Sequence, residues 1–306
     1  MATLTASIPE RRRFNMPALA LEPYLYVLPA LVILLAFVYW PILYSVWLSV
    51  HAWDFLRPVK PFVGLENYTE LLGSDDFWNS LTVTAIFVIG SVPVRLLLAL
   101  ALAHALMRET GLHRLARGAF FLPVITSSVA LSIIWSWMFN TDYGLINGLI
   151  TTFGGGKVSW LTSTEVAIWS IVIVNVWKQL GYDLIIYLAG LQAIPSDYYE
   201  AAKIDGASGW QRFRALTLPL LMPTTFFLLV VSVIDSFQVF TIVNVMTQGG
   251  PAWSTDLIVN LLYRTSFIVF DIGLGSALAM ILFLILMGLT VAKFAVIGRK
   301  VYYEYQ

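Results

Sequence analysis

Apolar residues along the 306-residue chain gather into six long stretches, near 24–50, 78–106, 118–139, 165–189, 217–241 and 273–297. A helix that crosses a bilayer takes roughly 20 predominantly apolar residues, so the pattern predicts an all-α integral membrane protein with six transmembrane helices. Pro29 and Pro41 interrupt the first stretch and Pro93 the second. Membrane helices tolerate such prolines when neighbours re-satisfy the freed carbonyls. The first stretch is too long for the core of a cleavable signal peptide, and no small-residue cleavage site follows it, so it is expected to stay as an anchor.

Charge then orients the spans, because short cytoplasmic loops carry the excess of Lys and Arg. Arg11, Arg12 and Arg13, then Arg108, Arg114 and Arg117, then Lys203, Arg212 and Arg214, then Arg299 and Lys300 fall on one side. The other side holds Arg57, Lys60, Lys157 and Arg264, with Asp54, Glu66, Glu70, Asp75 and Asp76 crowding its first loop. Both termini are therefore expected in the cytoplasm, and an even number of spans agrees. The composition excludes an ordinary soluble enzyme: 59% of residues are hydrophobic and 12% charged, against about 25% charged in soluble domains, and mean hydropathy is +0.80. Eighteen basic and eighteen acidic residues cancel, so nothing points to nucleic acid. With no cysteine there is no disulfide framework or thiolate chemistry.

Several chemical signatures are missing. Gly154-Gly155-Gly156-Lys157 lacks the following Ser or Thr and the leading Gly of a phosphate loop and reads as an external connection. His51, His104 and His113 stand without partners at ligand spacing, so no metal site is expected. Asn67-Tyr68-Thr69 matches a glycosylation acceptor, a pattern too short to weigh. Trp and Tyr at Tyr39, Trp40, Tyr44, Trp47, Trp53, Trp135, Trp137 and Tyr302, Tyr303, Tyr305 read as interfacial belts or as helix packing.

Polar residues at membrane depth are functional candidates: Arg95, Asn175, Lys178, Gln179, Asp183 and Asp235, with Ser232, Ser236 and Gln238 close by. Asp235 and Gln238 lie one turn apart on a shared face, which suits either sugar hydroxyls or packing against another chain. With Asn175 and Lys178 they make a candidate substrate path. Lys178 and Asp183 are expected to pair with each other or with a partner chain, and Arg95 to act as a tie between helices or subunits.

The loop between the fourth and fifth stretches, 194–219, is too organised for a linker. Pro195 and Ser196 read as a helix start, with Ser196 placed to cap the amides of Tyr198 or Tyr199 and Asp197 favourable at the positive end of the dipole. Gly206 and Gly209 then permit a turn into a second helix near Trp210. Glu200, Ala201, Ala202 and Gly206, followed by Leu216, Leu218 and Pro219, match a spaced signature that is extended by Asp205 and Ala207. In this the chain closely resembles the inner-membrane permease subunits of binding-protein-dependent ABC importers, in their carbohydrate branch. Leu216 stands where Ile is more usual. Phe62-Val63-Gly64-Leu65-Glu66-Asn67-Tyr68, Phe121-Leu122-Pro123, Ala189-Gly190-Leu191-Gln192 and Thr247-Gln248-Gly249-Gly250-Pro251 extend the likeness over most of residues 24–297.

The resemblance implies a type I importer permease of the cytoplasmic (inner) membrane. It divides the chain into a cytoplasmic tail (1–20), a first helix with its external loop (21–77), a five-helix transmembrane domain (78–297) and a second cytoplasmic tail (298–306). The partners it implies are a second, homologous permease, two copies of an ABC ATPase and an extracytoplasmic binding protein. Glu200, Ala201, Ala202, Asp205, Gly206 and Ala207 would couple to the ATPase. ATP and Mg would sit on that ATPase, with no catalysis and no cofactor on this chain. Gly249, Gly250, Pro251 and Trp253 would help dock the binding protein. The cargo implied is a sugar; alternatives are glycerol 3-phosphate or a glycerophosphodiester, and, against the loop signature, a proton-coupled secondary transporter using Asp235.

Overall fold

The computed structural model describes residues 22–56, 58–108 and 110–296. The predicted tails, with Arg11, Arg12, Arg13, Arg299, Lys300 and Tyr302, Tyr303, Tyr305, lie outside them, as does Arg57. Among the described residues there is no strand, only one antiparallel bridge between His51 and Phe62.

The chain falls into two units that divide after Trp47. The first contains α1 (Glu22–Leu34), a π-helical turn (Leu35–Tyr39) and most of α2 (Trp40–Leu48). Pro41 has no N–H to donate, and the turn just before it is the wide one, in which Trp40 N–H bonds to Leu35 O. Pro29 sits inside α1 without ending it. The helical stretch Tyr24–Leu48 is long and apolar enough to cross a membrane.

The second unit opens with a clamp in the loop before α4. Asn67, on α3 (Glu66–Gly73), donates to Ser49 O at 2.9 Å and His51 O at 3.1 Å. Tyr68 donates to Ser49 Oγ at 2.7 Å, and Gly64 takes φ +61°. The Phe62–Tyr68 motif thus closes the loop after the first helix. Its Asn67 amide is buried and engaged, so it is not presented as a glycosylation acceptor.

The core is built on α4 (Asp75–Ala105) and α8 (Ala167–Gln192). Phe87, Val92, Ala99 and Ala103 of α4 and Ile171, Val174, Leu184 and Tyr187 of α8 are buried together. Pro93 leaves α4 continuous. Between them in sequence come α5 (Gly111–Ile125), α6 (Ser128–Met138) and α7 (Leu145–Thr152). Beyond α8 lie α9 (Ser196–Ile204), α10 (Gly209–Arg212), a π turn (Phe213–Thr217), α11 (Leu218–Leu220), α12 (Met222–Phe237), α13 (Thr241–Met246), α14 (Ile258–Tyr263), a third π turn (Arg264–Ile268) and α15 (Ile272–Val296).

Among the described residues, five helical segments are long and apolar enough to cross a bilayer; the third predicted span, 118–139, is instead the pair α5 and α6, bent by 101°. The break falls where Thr126 and Ser127 take extended backbone, at ψ 144° and 128°. Pro123 lies one turn before it, so the helix loses a donor just ahead of the break. Close packing holds the bent pair to the core: a Cβ on Gly181 of α8 would strike the backbone of Phe120.

Candidate coupling surface and substrate path

The Glu200–Ala207 loop is built from two reciprocal caps. At the end of α9, Ala207 N–H bonds to Ala202 O at 2.9 Å and Gly206 N–H to Lys203 O at 3.1 Å. This is a Schellman closure, with Gly206 at φ +77°. Ser208 then caps α10: its Oγ accepts from Gln211 N–H while the Gln211 side chain accepts from Ser208 N–H at 2.7 Å. Ser196 does not perform the expected cap. The cap position is Pro195, which has no side-chain acceptor, and the Ser196 hydroxyl turns to Asp197 at 3.5 Å.

Two ties anchor this knob. Tyr199 and Thr217 share a hydrogen bond at 3.0 Å. Phe213 lies between the Trp210 ring, stacked at 5.7 Å, and His104 at the end of α4, edge-on at 5.4 Å. Its outer face is open: Glu200, Ala201, Asp205 and Gly206 are exposed, Ile204 is 87% exposed and Trp210 68%. A Cβ added at Gly206 would meet nothing within 4 Å. An apolar tip with a small-residue edge and two carboxylates, Glu200 and Asp205, suits docking into another protein's cleft.

Inside the spans, polar side chains meet at two adjacent levels, an ion pair on one and an amide–carboxylate hydrogen bond on the other. On the buried level Arg95 Nε of α4 lies 2.5 Å from Asp183 Oδ2 of α8. Its Nη2 donates to Ser232 Oγ of α12 at 2.5 Å. Arg95 is 2% and Asp183 0% exposed. The expected pair of Lys178 with Asp183 does not form. Residues five apart on a helix point in different directions, and Asp183 turns inward to α4 while Lys178 turns to a more open face. There Gln179 Nε2 donates to Asp235 Oδ2 at 2.8 Å, and the Lys178 ammonium is within electrostatic reach of the same carboxylate. Asp235 and Gln238 are exposed. Asn175 is buried, and among the described residues its Nδ2 has no hydrogen-bond partner, so it sits behind this face. Trp177 meets Trp135 edge-on at 5.4 Å, and Trp135 also packs on Phe139. Trp135 is therefore a packing residue, whereas Trp137 stays exposed.

Beyond α13, Thr247–Asp256 forms a tight turn. Gln248, Gly249, Ala252 and Trp253 take φ of 52°, 88°, 47° and 60°. Thr255 Oγ1 donates to Gly250 O at 2.7 Å, and Asn79 donates to Trp253 O at 3.1 Å. Behind it is a carboxylate that sequence reasoning missed. Asp256 accepts from Asn260 at 2.5 Å and Ser80 at 3.0 Å and pairs with Arg264 at 3.1 Å. Arg264 also reaches Asp76 at 3.3 Å and lies over the Trp253 ring, 4.0 Å from its centre. Burial pushes the Asp256 carboxyl above its usual range, and bonds from Asn260, Arg264 and Ser80 recover part of that rise. The signal available was the spacing of Asp256, Asn260 and Arg264, four residues apart each time.

The sequence profile described as "Binding-protein-dependent transport system inner membrane component" matches residues 95–297. The chain belongs to that family. Its curated relatives include the trehalose/maltose transport system permease protein MalF of Thermococcus litoralis, 38% identical, covering 90% of this chain and 93% of the relative. The sn-glycerol-3-phosphate transport system permease protein UgpA of Agrobacterium fabrum is 34% identical, covering 92% and 96%. A crystal structure of a bacterial ABC transporter that imports the acidic polysaccharide alginate superposes with a TM-score of 0.78 at 24% identity, covering 91% of this chain and 96% of that one. That likeness shows the fold, a type I importer permease. The chain is thus a multi-pass membrane transport component. Both the knob and the Lys178–Asp235 face lie within the matched range of this permease. So do Gly190, where a Cβ would come within 2.6 Å of Thr224 Oγ1, and the Gly249–Pro251 turn.

Proposed function

We propose that this permease is one of two homologous halves of an ATP-driven importer that carries an uncharged saccharide inward across the cytoplasmic membrane. Two copies of a separate ABC ATPase bind ATP and Mg and dock on Glu200, Ala201, Ala202, Asp205, Gly206 and Ala207, while an extracytoplasmic binding protein docks by the Gly249–Trp253 turn. This chain performs no catalysis, holds no cofactor and keeps both termini in the cytoplasm.

The observation that carries the choice of cargo is charge balance along the path. Arg95 is paired with Asp183, and Asp235, which accepts from Gln179 next to Lys178 in the helix, offers a counter-charge for the second cation, so we read neither as held for a phosphate. Amides at Gln179 and Gln238, beside the Asp235 carboxylate, supply the donors and acceptors that hydroxyls take. The trehalose/maltose relative agrees with this reading. Three relatives named for sn-glycerol 3-phosphate favour the second reading, an anion bound through Lys178. The proton-coupled reading loses its basis with the family.

The test is uptake by the purified complex in proteoliposomes. Maltose or trehalose should accumulate only with internal ATP and the binding protein, and Gly206→Asp should abolish uptake and release the ATPase during purification while the second permease stays bound. Uptake of glycerol 3-phosphate in place of the sugars would overturn the cargo, and normal uptake by Gly206→Asp would overturn the coupling role.

A further inference from the structure

The two charge levels are neighbours on the same helices. Ser232, which accepts from Arg95, and Asp235 are one turn apart on α12, and Asp183 and Gln179 are one turn apart on α8. Only the buried level reaches α4. We propose that Arg95, Asp183 and Ser232 are positioning residues that set the charge of the path, and so its specificity, by acting through Asp235. The inference rests on the uncharged-saccharide reading above.

The geometry gives the guanidinium two jobs. Its Nε forms the ion pair with Asp183 on one helix and its Nη2 donates to Ser232 on another, which fixes the rotation of α12 that hands Asp235 to Gln179. Asp183 in turn holds the guanidinium's charge. Ser232, to which the guanidinium already donates, lies one turn from Asp235, so a cation that loses Asp183 is drawn to Asp235. Asp235 would then leave Lys178 unopposed, and the open face would change from balanced to positive. A residue that only held the helices together would leave the potential of that face unchanged.

The chain's lack of cysteine provides a direct reading. Gln238→Cys, in the purified complex, is titrated with a cationic and an anionic methanethiosulfonate of similar size, and labelling is followed by the mass of this chain. The ratio of anionic to cationic rate should rise about tenfold on adding Asp183→Asn and return to within about twofold of the starting value in Arg95→Gln/Asp183→Asn. Ser232→Ala, which removes one hydrogen bond and no charge, should move the ratio in the same direction by about twofold to threefold, and this shift should vanish when Asp235→Asn is also present. A ratio that stays put in Asp183→Asn within an assembled complex overturns the proposal. If Asp183→Asn does not assemble, an unchanged ratio in Ser232→Ala overturns it instead. Transport of glycerol 3-phosphate by the unmodified complex would remove the cargo reading alone, because the labelling ratio does not depend on which solute is carried.

Discussion

Asp256 lies behind the Thr247–Asp256 turn with three kinds of donor around it, yet burial dominates and its carboxyl is held above the unfolded value of 3.8. A raised folded-state value means that the folded turn favours the protonated acid. That contribution to stability is complete below the unfolded value and is lost as pH rises through the folded one. Hydrogen exchange at 247–264, corrected for the intrinsic rate, should therefore show more protection at mildly acidic than at neutral pH, and Asp256→Asn should flatten the profile. A wild-type profile without slope would exclude Asp256 as the titrating group. Single residues were legible in proportion to how local their partners are. Gly206 needs only its own turn. Arg95 and Asp183 are 88 positions apart, and no helical spacing connects them. The sequence marked Arg95 as a tie but left Asp183 to the nearer Lys178 or to a partner chain.

Helices pack most closely in this protein where side chains are missing. At Gly181 the position of a Cβ is taken by the backbone of Phe120, and backbone cannot swing aside as a side chain does. Gly181→Ala should cost about 1–3 kcal/mol, read as a lower midpoint of thermal unfolding in detergent. Gly118→Ala, on the open face of α5, meets nothing within 4 Å and should be neutral or better. Equal midpoints for the two variants would contradict the α5–α8 approach. At the knob the constraint is conformational: Gly206→Ala keeps its open surroundings but carries φ +77° at roughly 1–2 kcal/mol. It should fray α9, raising amide exchange at Ala207, with the spans unaffected. The end of α9 could be read from sequence because Gly206 acts within its own turn, whereas the Ser208–Gln211 cap of α10, equally local, went unread beside Gly209. Ser196 misled because Pro195 took the cap position. The break after Ile125 was hidden because Pro123 is the kind of residue that membrane helices absorb elsewhere in the same chain, at Pro29 and Pro93.

For the whole molecule, the arrangement of charge makes the orientation testable. A fluorescent protein fused after Gln306 should fold and fluoresce, and alkaline phosphatase inserted at Gly154–Gly156 should be active, because the enzyme matures only once exported. The opposite pair of signals would invert the topology. Architecture was readable at this scale because apolar run length is a property of composition, whereas the pairing of α4 with α8 depends on which faces meet.

The bend between α5 and α6 has a material consequence for the surrounding bilayer. At 1.5 Å per residue, the 15 residues of α5 and 11 of α6 reach about 22 Å and 16 Å, each short of a hydrocarbon slab of about 30 Å. The elbow leaves peptide groups near Thr126 and Ser127 outside a regular helix, where lipid tails offer nothing to bond them. Thickness matching at this flank therefore falls to whatever water or neighbouring protein fills the crook, and acyl-chain length becomes a variable to which this side of the molecule answers.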